Sequence, residues 1–430
     1  MKKAVVLAAG KGVRLQPFTN TRPKHLIPIA GAPLILHVLK AIKEAGIEKV
    51  LVVGYYMLEK IKSYLEELRS NLKLEFEYVN QGGVYGTAHA LSIASNFVGE
   101  DDFLLIYGDI VFDYDIVKAV IRAHESAKPI VTMATMLSSK PQDFGVVHTH
   151  EDRVLKVEEK PKHVITPSYV NIGIYAMSPE VIDFSKRTPL SERGEYELTT
   201  TINMLIEHNK EVLAVKVREG SWLDVGRPWN ILDANRFLLN KLVTRQVVEG
   251  AVENNVSLKG PVVIEEGARV RSGAYIEGPT WISEGCDIGP NCYIRPYTYL
   301  AKNVRIGNAC EIKESVLMEG THVGHLSYVG DSVIGEHCNL GAGTITANLR
   351  FDDAPVKVTV KGERISSGRR KLGAFLGGYV KTGINVSFLP GVIVGEYSWI
   401  GPHILVDRDI PPKTIVLLKH QELEFRCSEK

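Results

Sequence analysis

The sequence predicts two domains of different class: an α/β domain over residues 1–228 and a left-handed parallel β-helix over residues 251–410. In the first half, short apolar runs take turns with amphipathic segments. That succession builds a mostly parallel, Rossmann-like sheet covered on both faces, with its ligand site at the carboxyl ends of the strands. In the second half every sixth residue is a branched aliphatic: Ile264, Val270, Ile276, Ile282, Ile288, Ile294, Leu300, Ile306 and Ile312. A period of six fits neither the helical period of about 3.6 nor the alternation of a two-faced strand. A fixed short repeat marks a solenoid, whose turns bury their apolar faces by stacking on one another. One inward aliphatic per six-residue side describes a triangular coil. This hexapeptide pattern belongs to left-handed coils, an exception to the right-handed crossover rule.

The elements of the first half follow in order. Lys3–Ala8 reads as a strand, then a Gly-rich loop; Pro33–Ala45 reads as a helix, Lys49–Val53 as a strand and Leu58–Leu68 as a helix. Leu74–Tyr78 reads as a strand, Thr87–Ser95 as a helix, and Phe103–Tyr107 as a strand running into Gly108-Asp109. Trp229–Val243 is expected as a linker helix within residues 229–250, and residues 411–430 as a charged tail. Within the coil, Gly289, Gly307, Gly335 and Gly341 each follow a stacking residue, at corners that a side chain would crowd. The repeat slips to Leu317, Val323 and Val329, then to Ile334, Leu340 and Thr346. An irregular excursion from about Leu349 to Leu372 precedes its return at Leu376, Thr382, Phe388, Val394, Ile400 and Val406. Long excursions from a regular coil are more often binding loops.

The 430 residues suit two or three domains, and 45% hydrophobic content is ample for their cores. A formal charge of +1 implies no bulk attraction to nucleic acid or to an anionic membrane. Lys11 and Arg14 come too soon after the first apolar run for a cleaved leader, and no run is long enough to span a bilayer. Cys286, Cys292, Cys310 and Cys338 each stand four residues after a stacking aliphatic, so their spacing is the coil's and not a metal-ligand pattern. Five cysteines, an odd count, suit a reducing cytoplasm.

Leu7-Ala8-Ala9-Gly10-Lys11-Gly12-Val13-Arg14-Leu15 follows the first strand. Glycines admit a ligand close to the backbone, and free amides suit phosphate oxygens. Arg14 and then Pro23-Lys24 supply two cations to bracket a polyphosphate, without the Gly-Lys-Ser/Thr of a P-loop. This opening resembles the sugar-1-phosphate nucleotidylyltransferases. The resemblance continues through Gln81…Gly86-Thr87, Tyr107-Gly108-Asp109, Phe144-Gly145-Val146-Val147, Glu159-Lys160-Pro161, Asn171-x-Gly173 and Trp222-x-Asp224-Val225-Gly226. It implies attack of a sugar phosphate on the α-phosphorus of UTP or dTTP. Both reactants are anions that must be neutralised and held in line. By resemblance Leu7, Ala9, Gly10 and Gly12 line the nucleotide, Arg14 and Lys24 are catalytic, and Gln81, Gly86 and Thr87 read the base. Asp109 and Asp224 would hold Mg²⁺, and Gly145, Glu159, Lys160 and Asn171 the sugar phosphate. Val13 stands where Ser or Thr is common, and Thr200 where many relatives carry Asp, which leaves the sugar open.

The coil carries chemistry-bearing residues of its own. His325-Leu326-Ser327-Tyr328 lies beside a slip in the repeat, and Gly341-Ala342-Gly343-Thr344-Ile345-Thr346-Ala347-Asn348 precedes the excursion. These segments resemble the acetyltransferase half of bifunctional N-acetylglucosamine-1-phosphate uridylyltransferases, archaeal ones above all. The resemblance makes His325 the general base and Asn348 a second catalytic group, with Arg295, Lys313, Tyr328 and Asn339 on the amino-sugar phosphate. Ala342, Gly377 and Gly378 would meet acetyl-CoA. Ala354 stands where bacterial relatives carry lysine, and Lys357 is the substitute at hand. The basic run Ser366-Ser367-Gly368-Arg369-Arg370-Lys371 suits either CoA phosphates or a solvated surface. The resemblance further implies a homotrimer acting on small molecules. Two other readings compete: a glucose- or mannose-1-phosphate nucleotidylyltransferase with a structural coil, and a non-catalytic assembly subunit with the same two folds.

Overall fold

The computed structural model describes residues 1–83 and 85–419. By their contacts the residues divide into two compact units. The first comprises Met1–Gly12, Arg22–Ile27 and Ala32–Gly226; the second comprises Val13–Thr21, Pro28–Gly31 and Arg227–Lys430.

A nine-stranded sheet organises the first unit. Lys3–Ala8 pairs in parallel with Lys49–Gly54 and with Phe103–Tyr107, and Lys49–Gly54 pairs in parallel with Glu75–Asn80. Successive residues of these strands point to opposite faces. Val6, Val52 and Ile106 join one apolar cluster, while Val5, Val53 and Leu105 join the other. Both faces are covered, which is why the strands read as unbroken apolar runs. The other half of the sheet is mixed rather than parallel. Ser168–Met177 runs antiparallel between Phe103–Tyr107 and Val131–Ser138, and Arg153–Glu159 runs antiparallel to Gly145–His150. An apolar strand carries no mark of its direction, so the sequence pattern did not reveal this. The expected helix Thr87–Ser95 is two short ones, Thr87–Ser92 and Ser95–Val98.

In the second unit the helix Asn230–Leu242 precedes a coil of three parallel sheets. Ile264 pairs with Ile282, and Ile282 with Leu300, so one turn takes three six-residue sides. All nine aliphatics of the period are buried in one continuous core. The first slip is visible in the register, where Leu300 meets Leu317 and Ile306 meets Val323. Corner glycines are demanded by close approach: a Cβ on Gly307 would stand 1.8 Å from the Gly324 carbonyl oxygen. The coil overruns its expected limits at both ends. Val247–Val248 already pairs with the next turn, and Ile415–Val416 pairs with Trp399–Ile400.

The excursion is not irregular. Lys357–Val360 and Glu363–Ser366 form an antiparallel hairpin, with Leu349 bridged to Lys371 at its root. The Arg369 guanidinium pairs with Asp233 of the helix at 2.7 Å and with Glu314 of the coil at 2.5 Å, and Arg236 pairs with Glu314 at 2.7 Å. Arg370 pairs with Asp353 at 2.7 Å. Two cations of the basic run are therefore matched by carboxylates of this chain. Cys286, Cys292, Cys310 and Cys338 are buried free thiols. Burial pushes those of Cys286 and Cys292 up to about 12. The Cys286 thiol donates to the Ala301 carbonyl at 3.0 Å, and the Cys338 thiol to that of Gly377 at 3.1 Å. Cys427 lies outside the described residues.

Candidate active sites

In the first unit the neighbouring strands Lys3–Ala8 and Phe103–Tyr107 end side by side, with Leu7 opposite Tyr107. Ala9-Gly10-Lys11-Gly12 leaves one strand and Gly108-Asp109 the other; the Gly108 amide donates to the Leu7 carbonyl at 3.0 Å. Lys24 forms an ion pair with Asp109, and both side chains are mostly buried. Gly10 lies so close that a Cβ there would stand 3.0 Å from the Lys24 ammonium. Asp224 is brought to the same strand end by a two-stranded ladder, in which it pairs with Ile110. The Val225 amide donates to the Asp109 carbonyl at 3.2 Å. Asp109 and Asp224 thus sit on adjoining backbone positions. Among the described residues no group of three or more metal-type side chains occurs. Two carboxylates completed by phosphate oxygens suit Mg²⁺, which keeps few protein ligands. Arg14 is half-buried in the turn Val13–Leu15, a segment that groups with the second unit.

Gln81 is buried and its side-chain amide donates to the Gly86 carbonyl at 2.9 Å. Tyr196 clamps this loop: its amide donates to the Tyr85 carbonyl and its carbonyl accepts from the Ala88 amide, each at 2.8 Å. The Thr87 hydroxyl accepts from the Leu198 amide at 2.9 Å. On the sugar side, Gly145 leaves room for Glu159, whose carboxylate would meet a Cβ there at 3.1 Å. Lys160 stands 3.6 Å from that carboxylate. The Asn171 amide donates to the Tyr175 hydroxyl at 2.5 Å, and Tyr175 meets the Tyr107 hydroxyl at 3.4 Å. Burial pushes Tyr107 up to about 12, so both phenols stay protonated.

Two neighbours of these residues went unseen in the sequence. Arg193 bridges Glu159 and buried Glu197, at 3.1 Å to each. Burial, then the Glu159 charge, pushes the Glu197 carboxyl up, against the pull of Arg193. His25 is wholly buried behind Lys24, and burial together with the Lys24 charge lowers it to about 3. Neither was picked out by motif, although His25 directly follows Pro23-Lys24.

In the coil, His325 ends the strand His322–His325 and pairs with Asn308 of the preceding turn. Its side chain is exposed, while its carbonyl accepts from the Ser327 hydroxyl at 2.7 Å and the Gly343 amide at 3.1 Å. It lines a groove of about 510 Å³ together with Asn308, His322, Asn339 and Ala342. Lys313 and Tyr328 stand on strands of the adjoining sheet, and Arg295 and Asn348 follow strands of it; none of the four lines that groove. Arg295 pairs with Glu311 at 2.9 Å, and Lys313 with Asp331 at 2.7 Å. The Asn348 amide donates to the Tyr328 hydroxyl at 2.9 Å and to the Asp331 carboxylate at 2.5 Å. Burial, then the Asp331 charge, pushes the Tyr328 phenol up. Lys357 is exposed on the excursion hairpin. Gly377 and Gly378 occupy a different corner, where Gly378 packs on Glu336 and Gly377 on the Glu396 backbone. They do not line the His325 groove.

A glycine-containing loop, an ammonium and two carboxylates gather at the ends of a sheet, and the family model Nucleotidyl transferase matches residues 3–241. A second model, GMPPB C-terminal domain, matches residues 276–372. The Bifunctional protein GlmU of Methanocaldococcus jannaschii is 45% identical over 424 residues, covering 98% of this chain and 99% of the relative. The Bifunctional sugar-1-phosphate nucleotidylyltransferase/acetyltransferase of Sulfurisphaera tokodaii is 45% identical over 412 residues, covering 95% and 98%. The chain belongs to this family of bifunctional sugar-1-phosphate nucleotidylyltransferases/acetyltransferases. It is an enzyme with a nucleotidyltransferase and an acetyltransferase activity, and a nucleoside triphosphate and acetyl-CoA are the substrates these imply. Neither a structural coil nor a non-catalytic subunit is favoured against that. A solved UDP-glucose pyrophosphorylase complexed with UDP-glucose shares the fold of the first part, at TM-score 0.52 and 22% identity, covering 56% of this chain and 99% of that one. Among the described residues no helix is long and apolar enough to cross a membrane.

Proposed function

We propose that the enzyme acetylates glucosamine 1-phosphate and joins the product to UMP from UTP, giving a UDP-N-acetylglucosamine-type nucleotide sugar. The observation that carries the acetyl half is His325, exposed in a groove with Asn339 and Ala342. The imidazole there takes the proton from the substrate amine as the amine nitrogen attacks the thioester carbonyl, and the C–S bond breaks to release the CoA thiolate. Lys313 and Arg295 face the phosphate of that substrate, with Tyr328, Asn339 and Asn348 on its hydroxyls. Lys357, the nearest cation past Ala354, substitutes for the lysine of bacterial relatives, and Gly377 and Gly378 serve acetyl-CoA at their own corner.

In the nucleotidyl half, Lys24 neutralises the triphosphate while a sugar phosphate oxygen attacks the α-phosphorus and pyrophosphate leaves. Asp109 and Asp224 hold Mg²⁺, which supplies charge neutralisation on the phosphates. Glu159 and Asn171 orient sugar hydroxyls and Lys160 the sugar phosphate; Gln81, Gly86 and Thr87 read the base. The role of Arg14 on the triphosphate rests on its motif. We further propose a homotrimer, because the flat-sided coil presents outward apolar side chains such as Trp399 and Leu405, each more than half exposed. A cytoplasmic location suits the four buried free thiols. Purified enzyme offered glucosamine or galactosamine 1-phosphate with acetyl-CoA, and then UTP or dTTP, tests the assignment. Glucosamine 1-phosphate and UTP should give the highest kcat/KM; turnover restricted to galactosamine or to dTTP would overturn the substrate choice.

A further inference from the structure

The coil buries a carboxylate where an acetyltransferase reading has no obvious use for one. Asp331 is 1% exposed. Taking a charge out of water costs several kcal/mol unless it is well paired, so its partners matter. Both carboxylate oxygens accept from the Lys313 ammonium, at 2.9 and 2.7 Å, and Oδ2 also accepts from the Asn348 side-chain amide at 2.5 Å. The backbone is equally tied. The Asp331 amide donates to the Lys313 carbonyl at 2.8 Å, and its carbonyl accepts from the Gly373 amide at 2.8 Å, where the chain returns from the excursion. Asp331 itself sits in the left-handed region at φ +50°. One residue therefore joins the turn that carries Lys313, the end of the turn that carries Asn348, and the root of the excursion.

The hydrogen-bond inventory fixes what is left over. A carboxylate only accepts, so Asn348 must turn its NH₂ toward Asp331. That NH₂ also donates to the Tyr328 hydroxyl at 2.9 Å, so both its hydrogens are taken. The Asn348 Oδ1 remains as an acceptor for a donor of the substrate. Lys313 has three donors and is 15% exposed at the side chain, so its ammonium keeps a donor for a substrate oxygen.

We propose that Asp331 is the positioning residue of the acetyl-acceptor site: it holds the Lys313 ammonium and sets the face that Asn348 presents. The substrate class follows from the two groups so placed. A cation and a carbonyl acceptor held by one anchor suit a molecule carrying an anionic group and an N–H or O–H donor, as an amino-sugar phosphate does. This inference rests on the acetyltransferase reading given above.

The test uses full-length enzyme and glucosamine 1-phosphate as the probe. Asp331→Asn preserves shape but loses the charge and can itself donate, freeing the Asn348 amide to turn over. It should raise KM for glucosamine 1-phosphate at least tenfold, with KM for acetyl-CoA and nucleotidyl transfer from N-acetylglucosamine 1-phosphate unchanged. In the Asp331→Asn background, Lys313→Met should cost far less than in the unmutated enzyme, since its ammonium is already misplaced. Should Asp331→Asn fold poorly, Lys313→Met/Asp331→Leu removes both charges together, which buried pairs often tolerate. The double variant should fold and retain the high KM. An unchanged KM in a folded variant, or fully additive losses, would overturn the positioning role. If unmutated enzyme acetylates no amino-sugar phosphate, the acetyltransferase reading fails first, a result distinct from either.

Discussion

At His325 the backbone is held by Ser327 and Gly343 while the imidazole is left in the groove. That division, a fixed main chain and a solvent-facing ring, is what a proton acceptor needs. His325→Ala should lower acetyl transfer by roughly two to four orders of magnitude, the usual worth of a positioned base. Nucleotidyl transfer from N-acetylglucosamine 1-phosphate should be unaffected, because its residues belong to other motifs. Parallel assays of the two reactions check this, and equal losses in both would count against it. Asp109 and Asp224 invite the converse experiment. Asp109→Ala and Asp224→Ala should each abolish pyrophosphate release and spare acetyl transfer. Excess chelator should stop the nucleotidyl reaction of the unmutated enzyme and added Mg²⁺ restore it; full activity in chelator would refute the metal assignment.

Among the elements, the coil is the least forgiving of added volume. The Cβ of a Gly307→Ala variant would fall 1.8 Å from the Gly324 carbonyl oxygen, inside any van der Waals limit. The turn must open, at a cost of about 1–3 kcal/mol or more. A lower thermal midpoint is expected, and an unchanged melting curve would show that the corner yields freely. The excursion hairpin has a different anchor. Arg369 is mostly buried between Asp233 and Glu314, so Arg369→Ala leaves two carboxylates facing each other's neighbourhood without their shared cation. Faster proteolytic cleavage within residues 349–372 should follow, while the coil core remains resistant. Equal cleavage rates for variant and parent would mean that backbone bridges alone hold the hairpin.

For the whole molecule the proposal is a trimer. The aliphatics of the six-residue period point inward in a monomer and a trimer alike, so they say nothing of assembly. The apolar residues that do bear on it, Trp399, Leu405 and Ile415, are those that point outward. Light scattering should give three times the chain mass of 47.6 kDa. A stable monomer active in acetyl transfer would remove the proposal.

Much of this protein was legible in the sequence because its strongest signals are local and periodic. A stacking aliphatic every six residues is the mark of a coil, and an apolar run followed by Gly-x-Gly, with Arg14 and Lys24 downstream, marks a strand and a candidate ligand loop. His325, Asn339 and Ala342 could be picked out by motif, and the structure brings them to one groove. What the sequence could not express were relations made by a turn of the coil or a reversal of the sheet. Asp331 meets Lys313 of the preceding turn and Asn348 of the following one, across distances along the chain that no motif spans. Arg193 reaches Glu159 from a separate loop, and the excursion folds back into a hairpin through pairings its own composition does not announce. Periodicity determined the fold, since burial of one face repeats residue by residue. The tertiary structure alone decided which charges share a partner, because a buried charge is answered by whatever the folded chain brings within reach.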